Sequence, residues 1–85
     1  MPRKVLYKSS VGRDLKHLDP GSARRVLSQI TSGLADGSMK GEPLQGEFKG
    51  LFKLPIGDYR VIYTAVGEDF LVLRIGHRSK VYSPR

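Results

Sequence analysis

The chain has 85 residues, no cysteine, and a formal net charge of +7 from fifteen Lys and Arg against eight Asp and Glu. A chain this short holds one hydrophobic core, so a single domain over residues 1–85 is expected. The lack of cysteine excludes a disulfide framework, thiol catalysis and Cys-ligated zinc. The positive field favours polyanions such as nucleic acid, or an acidic protein partner.

The N-terminal stretch MPRKVLYKSS has no apolar segment of the kind a signal peptide needs, and no run approaches the ~20 apolar residues that span a bilayer. A soluble, cytoplasmic protein with no membrane partner is expected. Lys4 to Ser9 alternates weakly and reads as a short first strand. Ser9 or Ser10 then caps a helix whose apolar stripe is Val11, Leu15 and Leu18. Asp19 is suited to the N-cap of a second helix and Pro20 to its first turn, where a missing N–H costs nothing. Ala23, Val26, Leu27, Ile30 and Leu34 continue at helical spacing until Gly33 and Gly37 end the run. Two helices packed as a hairpin follow from this pattern. Residues 37–50 are glycine-rich and read as loop.

Three strand candidates come next: Leu51–Ile56, Tyr59–Val66 and Phe70–Gly76. Only Gly57-Asp58 separates the first two, and a two-residue loop with glycine first signals a type II′ hairpin. Its register sets Ile56 against Tyr59, Pro55 against Arg60, Leu54 against Val61 and Lys53 against Ile62. Phe52, Leu54, Ile56, Tyr59, Val61 and Tyr63 then share a face that packs on the helices, while Lys53, Pro55, Arg60, Ile62 and Thr64 share the other. Lys53 and Arg60 lie diagonally, about 7–8 Å apart by ordinary sheet spacing. For the next turn a three-residue loop, Val66-Gly67-Glu68, is expected, because a two-residue loop would set Leu71 and Leu73 beside the cations. It pairs Ala65 with Asp69, adds Leu71, Leu73 and Ile75 to the helix-packed face, and places Arg74 directly opposite Arg60, with Arg78 on the same surface. The fold class expected is α+β: a small antiparallel sheet of about four strands with an N-terminal helical hairpin on one face.

Arginine grips phosphate bidentately and lysine supplies a mobile point charge, so Lys53, Arg60, Arg74 and Arg78 together suit a phosphodiester. Such groups also stabilise the extra charge of its transition state. Tyr82 is placed to stack on a base or donate a proton. If the ribose 2′-OH is the nucleophile, RNA cleavage needs no metal. The carboxylates fall mostly in caps and turns, and His17 and His77 lie in different elements without ligand spacing, so neither a metal nor an organic cofactor is expected. Each cation also has a plainer reading, since lysine and arginine commonly solvate an exposed strand.

The run GLFKLPIGDYRVIY followed by VLRIGHRSKVY resembles the RelE/ParE toxin superfamily of toxin–antitoxin pairs. LKHLDPGSARRVLSQI is similar to its helical hairpin, and GEPLQGEFKGLFKL to its loop into the following strand. The resemblance, closest to RelE-like members, implies an open sheet face that enters the ribosomal A site and cuts mRNA there. It implies that Arg60 and Arg78 are the site arginines, Lys53 the lysine of the preceding strand and Tyr82 the tyrosine near the C-terminus. It also implies a cognate RelB-like antitoxin in a heteromeric complex, with the ribosome and its mRNA as target. Some members carry basic residues where this chain has Leu51 and near Pro55, and His77 is a further candidate for proton acceptor. ParE-like members, which inhibit DNA gyrase, give the second reading, and a non-catalytic nucleic-acid binder a third.

Overall fold

In a computed structural model, which describes residues 4–37 and 40–77, the chain runs β1 (Val5–Tyr7), α1 (Ser10–Lys16), α2 (Pro20–Asp36), β2 (Glu42–Pro43), a 3₁₀ turn (Gly46–Phe48), β3 (Phe52–Ile56), β4 (Tyr59–Val66) and β5 (Asp69–His77). The five strands form one sheet in the order β1-β5-β4-β3-β2. It is a mixed sheet, not a purely antiparallel one of four strands. β1 runs parallel to β5, with Val5 against Phe70 and Tyr7 against Val72. A parallel neighbour requires a long crossover, and the two helices provide it. The fifth strand, β2, is a two-residue ribbon within the glycine-rich loop, where alternation has no length in which to appear.

α2 begins where its cap demands, whereas Ser9, the N-cap residue of α1, makes no side-chain capping hydrogen bond. The Asp19 side chain accepts hydrogen bonds from the Ser22 amide at 3.0 Å and from the Ser22 hydroxyl at 2.7 Å. These bonds, the hydroxyl's first, hold the Asp19 carboxyl below its usual pKa. α2 ends at Gly37, whose φ of 79° closes the last turn. Gly33 does not end the helix as expected; it is buried inside it. Val11, Val26, Ile30 and Leu34 from the helices meet Leu54, Ile56, Val61, Tyr63, Val72 and Ile75 from the sheet in one core. Phe52 stacks on Tyr63 with ring centroids 5.4 Å apart, and Phe70 meets Tyr63 edge-on at 5.5 Å. No helix among the described residues is long and apolar enough to cross a membrane.

The β3–β4 hairpin has the expected register, from Ile56↔Tyr59 to Phe52↔Tyr63. Gly57 has φ +60° and Asp58 does not share that sign, as a type II′ turn requires. The β4–β5 hairpin differs from expectation. Its loop is the two residues Gly67-Glu68, again glycine first with φ +63°, so Val66 pairs with Asp69 and Ala65 with Phe70. Phe70 and Val72 therefore take the helix-packed face, while Leu71 lies opposite Thr64 on the other. A β-bulge between Ile62 and Tyr63 then shifts the register, leaving Leu73 as the extra residue between Val72↔Tyr63 and Arg74↔Ile62. The bulge restores phase so that Ile75 returns to the core. Arg74 consequently faces Ile62, and the residue facing Arg60 is Gly76.

Candidate functional site on the open sheet face

The face without helices is organised in cross-strand rows. One row reads Glu42, Lys53, Ile62 and Arg74 across β2, β3, β4 and β5; the next reads Pro55, Arg60 and Gly76. At the other end of the sheet Thr64, Leu71 and Leu6 form an apolar row, with Leu6 46% exposed. Cations thus gather toward the β4 start, and apolar side chains toward the β1 edge. Ile62 is only 5% exposed although neither helix of the described residues packs on it. Its cross-strand neighbours are Lys53 and Arg74, and long cationic side chains lay their alkyl stems over apolar ground in this way.

The cations on this face are held very differently. Lys53 Nζ lies 3.8 Å from Glu42 Oε1, an exposed and weak pairing. Arg74 is locked: its Nε donates to Asp14 Oδ2 at 3.1 Å. The same oxygen accepts from the Ile75 amide at 3.0 Å. β1 pairs with β5 only as far as Val72, so the outer edge of β5 beyond it needs another acceptor, and α1 supplies Asp14. Arg74 is therefore paired from the helix side, and it does not stand directly opposite Arg60 as expected. Arg60 has the opposite character. Its Nε is buried and has no hydrogen-bond partner among the described residues. The cause lies in the register, since its two neighbours, Pro55 and Gly76, carry no polar side chain.

The structure thus brings Lys53, Arg60 and Arg74 onto one face, Arg60 lying one row diagonally from each of the others. His77 is paired with Tyr59, and their rings meet edge-on with centroids 6.2 Å apart. By strand alternation it belongs to the side opposite Arg60, where it lines a cleft with Asp14, His17 and Tyr59. Arg78 and Tyr82 lie outside the described residues. Sequence reasoning missed Asp14, which it placed among caps and turns. The link from Asp14 to Arg74 spans 60 residues and leaves no local signal. Glu42, opposite Lys53, was hidden in the loop-like stretch.

A family model described as the ParE toxin of type II toxin–antitoxin systems, parDE, matches residues 5–82. Toxin RelE3 of Methanocaldococcus jannaschii is 26% identical over 85 residues, covering 93% of this chain and 94% of the relative. A chain of the toxin–antitoxin complex RelBE2 from Mycobacterium tuberculosis superposes with a TM-score of 0.81 at 29% identity, over 92% of this chain and all of that one. The RelB–RelE antitoxin–toxin complex of Methanococcus jannaschii contains a chain of the same fold, with a TM-score of 0.73 at 20% identity over 94% of this chain and 98% of that one.

Proposed function

The chain belongs to the ParE toxin family of type II toxin–antitoxin systems, and on that premise we propose that it is a ribosome-dependent endoribonuclease that cuts mRNA in the A site. The observation that carries this reading is the Nε of Arg60, buried and without a partner among the described residues, diagonal to Lys53 on the face away from α1 and α2. A buried, permanently charged donor without a partner is costly, and a phosphate oxygen is the acceptor whose charge and geometry suit it best.

In this mechanism the 2′-oxygen attacks the adjacent phosphorus as the bond to the 5′-oxygen breaks. The 2′ proton passes to a base and the departing 5′-oxygen takes up a proton, leaving a 2′,3′-cyclic phosphate and a 5′-hydroxyl. Arg60 holds the phosphate and stabilises its added charge, and Lys53 assists electrostatically. Arg78 acts as the second phosphate-binding arginine and Tyr82 stacks on a base or moves a proton. His77 lies by strand alternation on the side opposite Arg60 and is left out of this step. Arg74, tied to Asp14, contributes field and no direct contact. A RelB-like antitoxin with an acidic or amphipathic segment neutralises the toxin in a heteromeric complex by covering this face, its apolar side chains over Leu6 and Leu71 and its carboxylates toward Lys53 and Arg60.

The matching family model favours one other reading, a ParE-like inhibitor of DNA gyrase whose cations only make surface contacts. Primer extension on mRNA translated by purified ribosomes decides between them. Breaks at A-site codons that require ribosomes and vanish with Arg60→Ala are expected. Intact mRNA with folded protein, and broken DNA in a gyrase assay, would overturn the proposal.

A further inference from the structure

The outer edge of β3 is covered for part of its length only. β2 pairs Glu42 with Lys53 and Pro43 with Phe52 and goes no further. The chain parts from the sheet at Gly41, whose amide donates to the hydroxyl of Tyr63, a residue of the helix-packed core, at 2.9 Å. That path runs so close to β3 that a Cβ at Gly41 would lie 2.6 Å from the Lys53 carbonyl oxygen, which explains the glycine. At Pro55, two residues further along β3, the edge has no strand beside it among the described residues.

The hairpin register fixes which backbone groups that edge presents. Ile56 and Tyr59 flank a two-residue turn and exchange ladder bonds, and so do Leu54 and Val61. Lys53 and Pro55 belong to the alternate pairs, whose backbone groups point away from β4. At Lys53 they face β2. At Pro55 the carbonyl faces solvent, and proline has no N–H to stand beside it. The edge there is an acceptor without a donor. Pro55 is exposed and lies directly across from Arg60, one strand spacing of about 4.8 Å away.

We propose that Pro55 is a specificity-determining residue that reads the base next to the phosphate held by Arg60, and that it selects guanine. Guanine is the base whose Watson–Crick edge sets two donors side by side, N1–H and the N2 amino group, and both can converge on one carbonyl oxygen. Adenine, cytosine and uracil set a donor beside an acceptor, which matches a strand edge carrying both C=O and N–H and leaves their acceptor unmet at Pro55. Single-stranded RNA is read in this way, through hydrogen bonds to exposed Watson–Crick edges. This inference rests on the phosphodiester reading of the open face and adds the base that the site prefers.

The test uses the full chain, unaltered and as Pro55→Ala, with 2′-O-methylated trinucleotides ApNpA, which 2′-OH attack cannot cleave. N is guanine, hypoxanthine, adenine or uracil. Affinity is measured by calorimetry, folding by Tm and self-association by sedimentation. The unaltered protein is expected to bind the guanine probe about fivefold tighter than the adenine and uracil probes, with hypoxanthine, which lacks the N2 amino group, in between. Pro55→Ala restores an outward N–H that opposes one of guanine's donors, so the preference should fall to within about twofold at an unchanged Tm. Should Pro55→Ala lower Tm, Pro55→Val, which adds the same N–H with a side chain that favours strands, takes its place under the same criteria. Affinities of the unaltered protein that agree within about twofold across the probes overturn the inference. A guanine preference that survives the added N–H overturns it too, and if that variant also self-associates, the proline only guards the edge against another strand. Cleavage of ribosome-bound mRNA separates the two claims. Cleavage with the same codon preference in both proteins removes the base reader and leaves the nuclease. Guanine-selective binding that Pro55→Ala abolishes, without any cleavage, removes the nuclease and leaves the reader.

Discussion

The two arginines of the open face differ in what their strands allow them. Arg74 stands near a sheet edge that its parallel neighbour leaves uncovered, and a helix carboxylate reaches around to satisfy both its guanidinium and the next amide. Arg60 stands on an interior strand between a proline and a glycine, and neither of these neighbours carries a polar side chain that could do so. The same residue type is thus a clamp in one region and an unsatisfied donor in the other. The proposed phosphate contact would supply the acceptor that this donor lacks among the described residues.

The widest separation between the two is expected in activity. Arg60→Ala should lower ribosome-dependent cleavage by at least about 100-fold, as loss of one transition-state donor does, with Tm unchanged or higher because a buried unpaired group is removed. Urea unfolding and primer extension on one preparation check both halves. Asp14→Ala would release Arg74, whose half-exposed side chain water can solvate, and strand the part-buried Ile75 amide. It should cost about 1–3 kcal/mol in urea unfolding, the penalty for buried groups left without partners. A loss well below that would mean the edge of β5 is satisfied by water. Gly41→Ala tests whether a glycine near the site is structural. Overpacking against the Lys53 carbonyl and the Tyr63 side chain should cost about 1–3 kcal/mol.

Glu42→Gln should change stability by less than about 0.5 kcal/mol, since its pairing with Lys53 is exposed. Tighter trinucleotide binding at low salt is the expected signature, and the gain should fade as salt is added. The smallest effect is that of pH on the cap of α2. Asp19 has a folded-state pKa below its unfolded value, so its contribution is fully present above about pH 4 and is lost as pH falls through the folded value. Asp19→Ala should flatten the acid limb of a stability–pH curve by that amount and leave the neutral limb parallel.

Much of this arrangement is legible in local pattern. Asp19-Pro20, the helical stripe from Ala23 to Leu34, and Gly57-Asp58 each carry a mechanism that works within a few residues. The pairing of Lys53 with Ile62 and of Arg60 with Pro55 follows from them. The second hairpin was harder because Gly67-Glu68 is the same glycine-first turn, but accepting it puts Leu71 and Leu73 outside. Alternation alone makes that look wrong. The bulge at Leu73 resolves the conflict by letting Phe70, Val72 and Ile75 all reach the core, and an extra residue in a strand has no signature in a period-two pattern. The apolar cost of an outward Leu71 is offset by the row it forms with Leu6, which depends on a parallel strand 65 residues away.

By itself the sequence determined the two helices, the cap of α2, the first hairpin's register and the gathering of Lys53 and Arg60, because each depends on spacing of a few residues. Only the tertiary structure decided that Arg74 is tied to Asp14, that Arg60 faces Gly76 and that its Nε is left without a partner among the described residues. Those outcomes depend on which edge of β5 the helix covers and where the strand bulges, and both are set by packing between segments far apart in the chain.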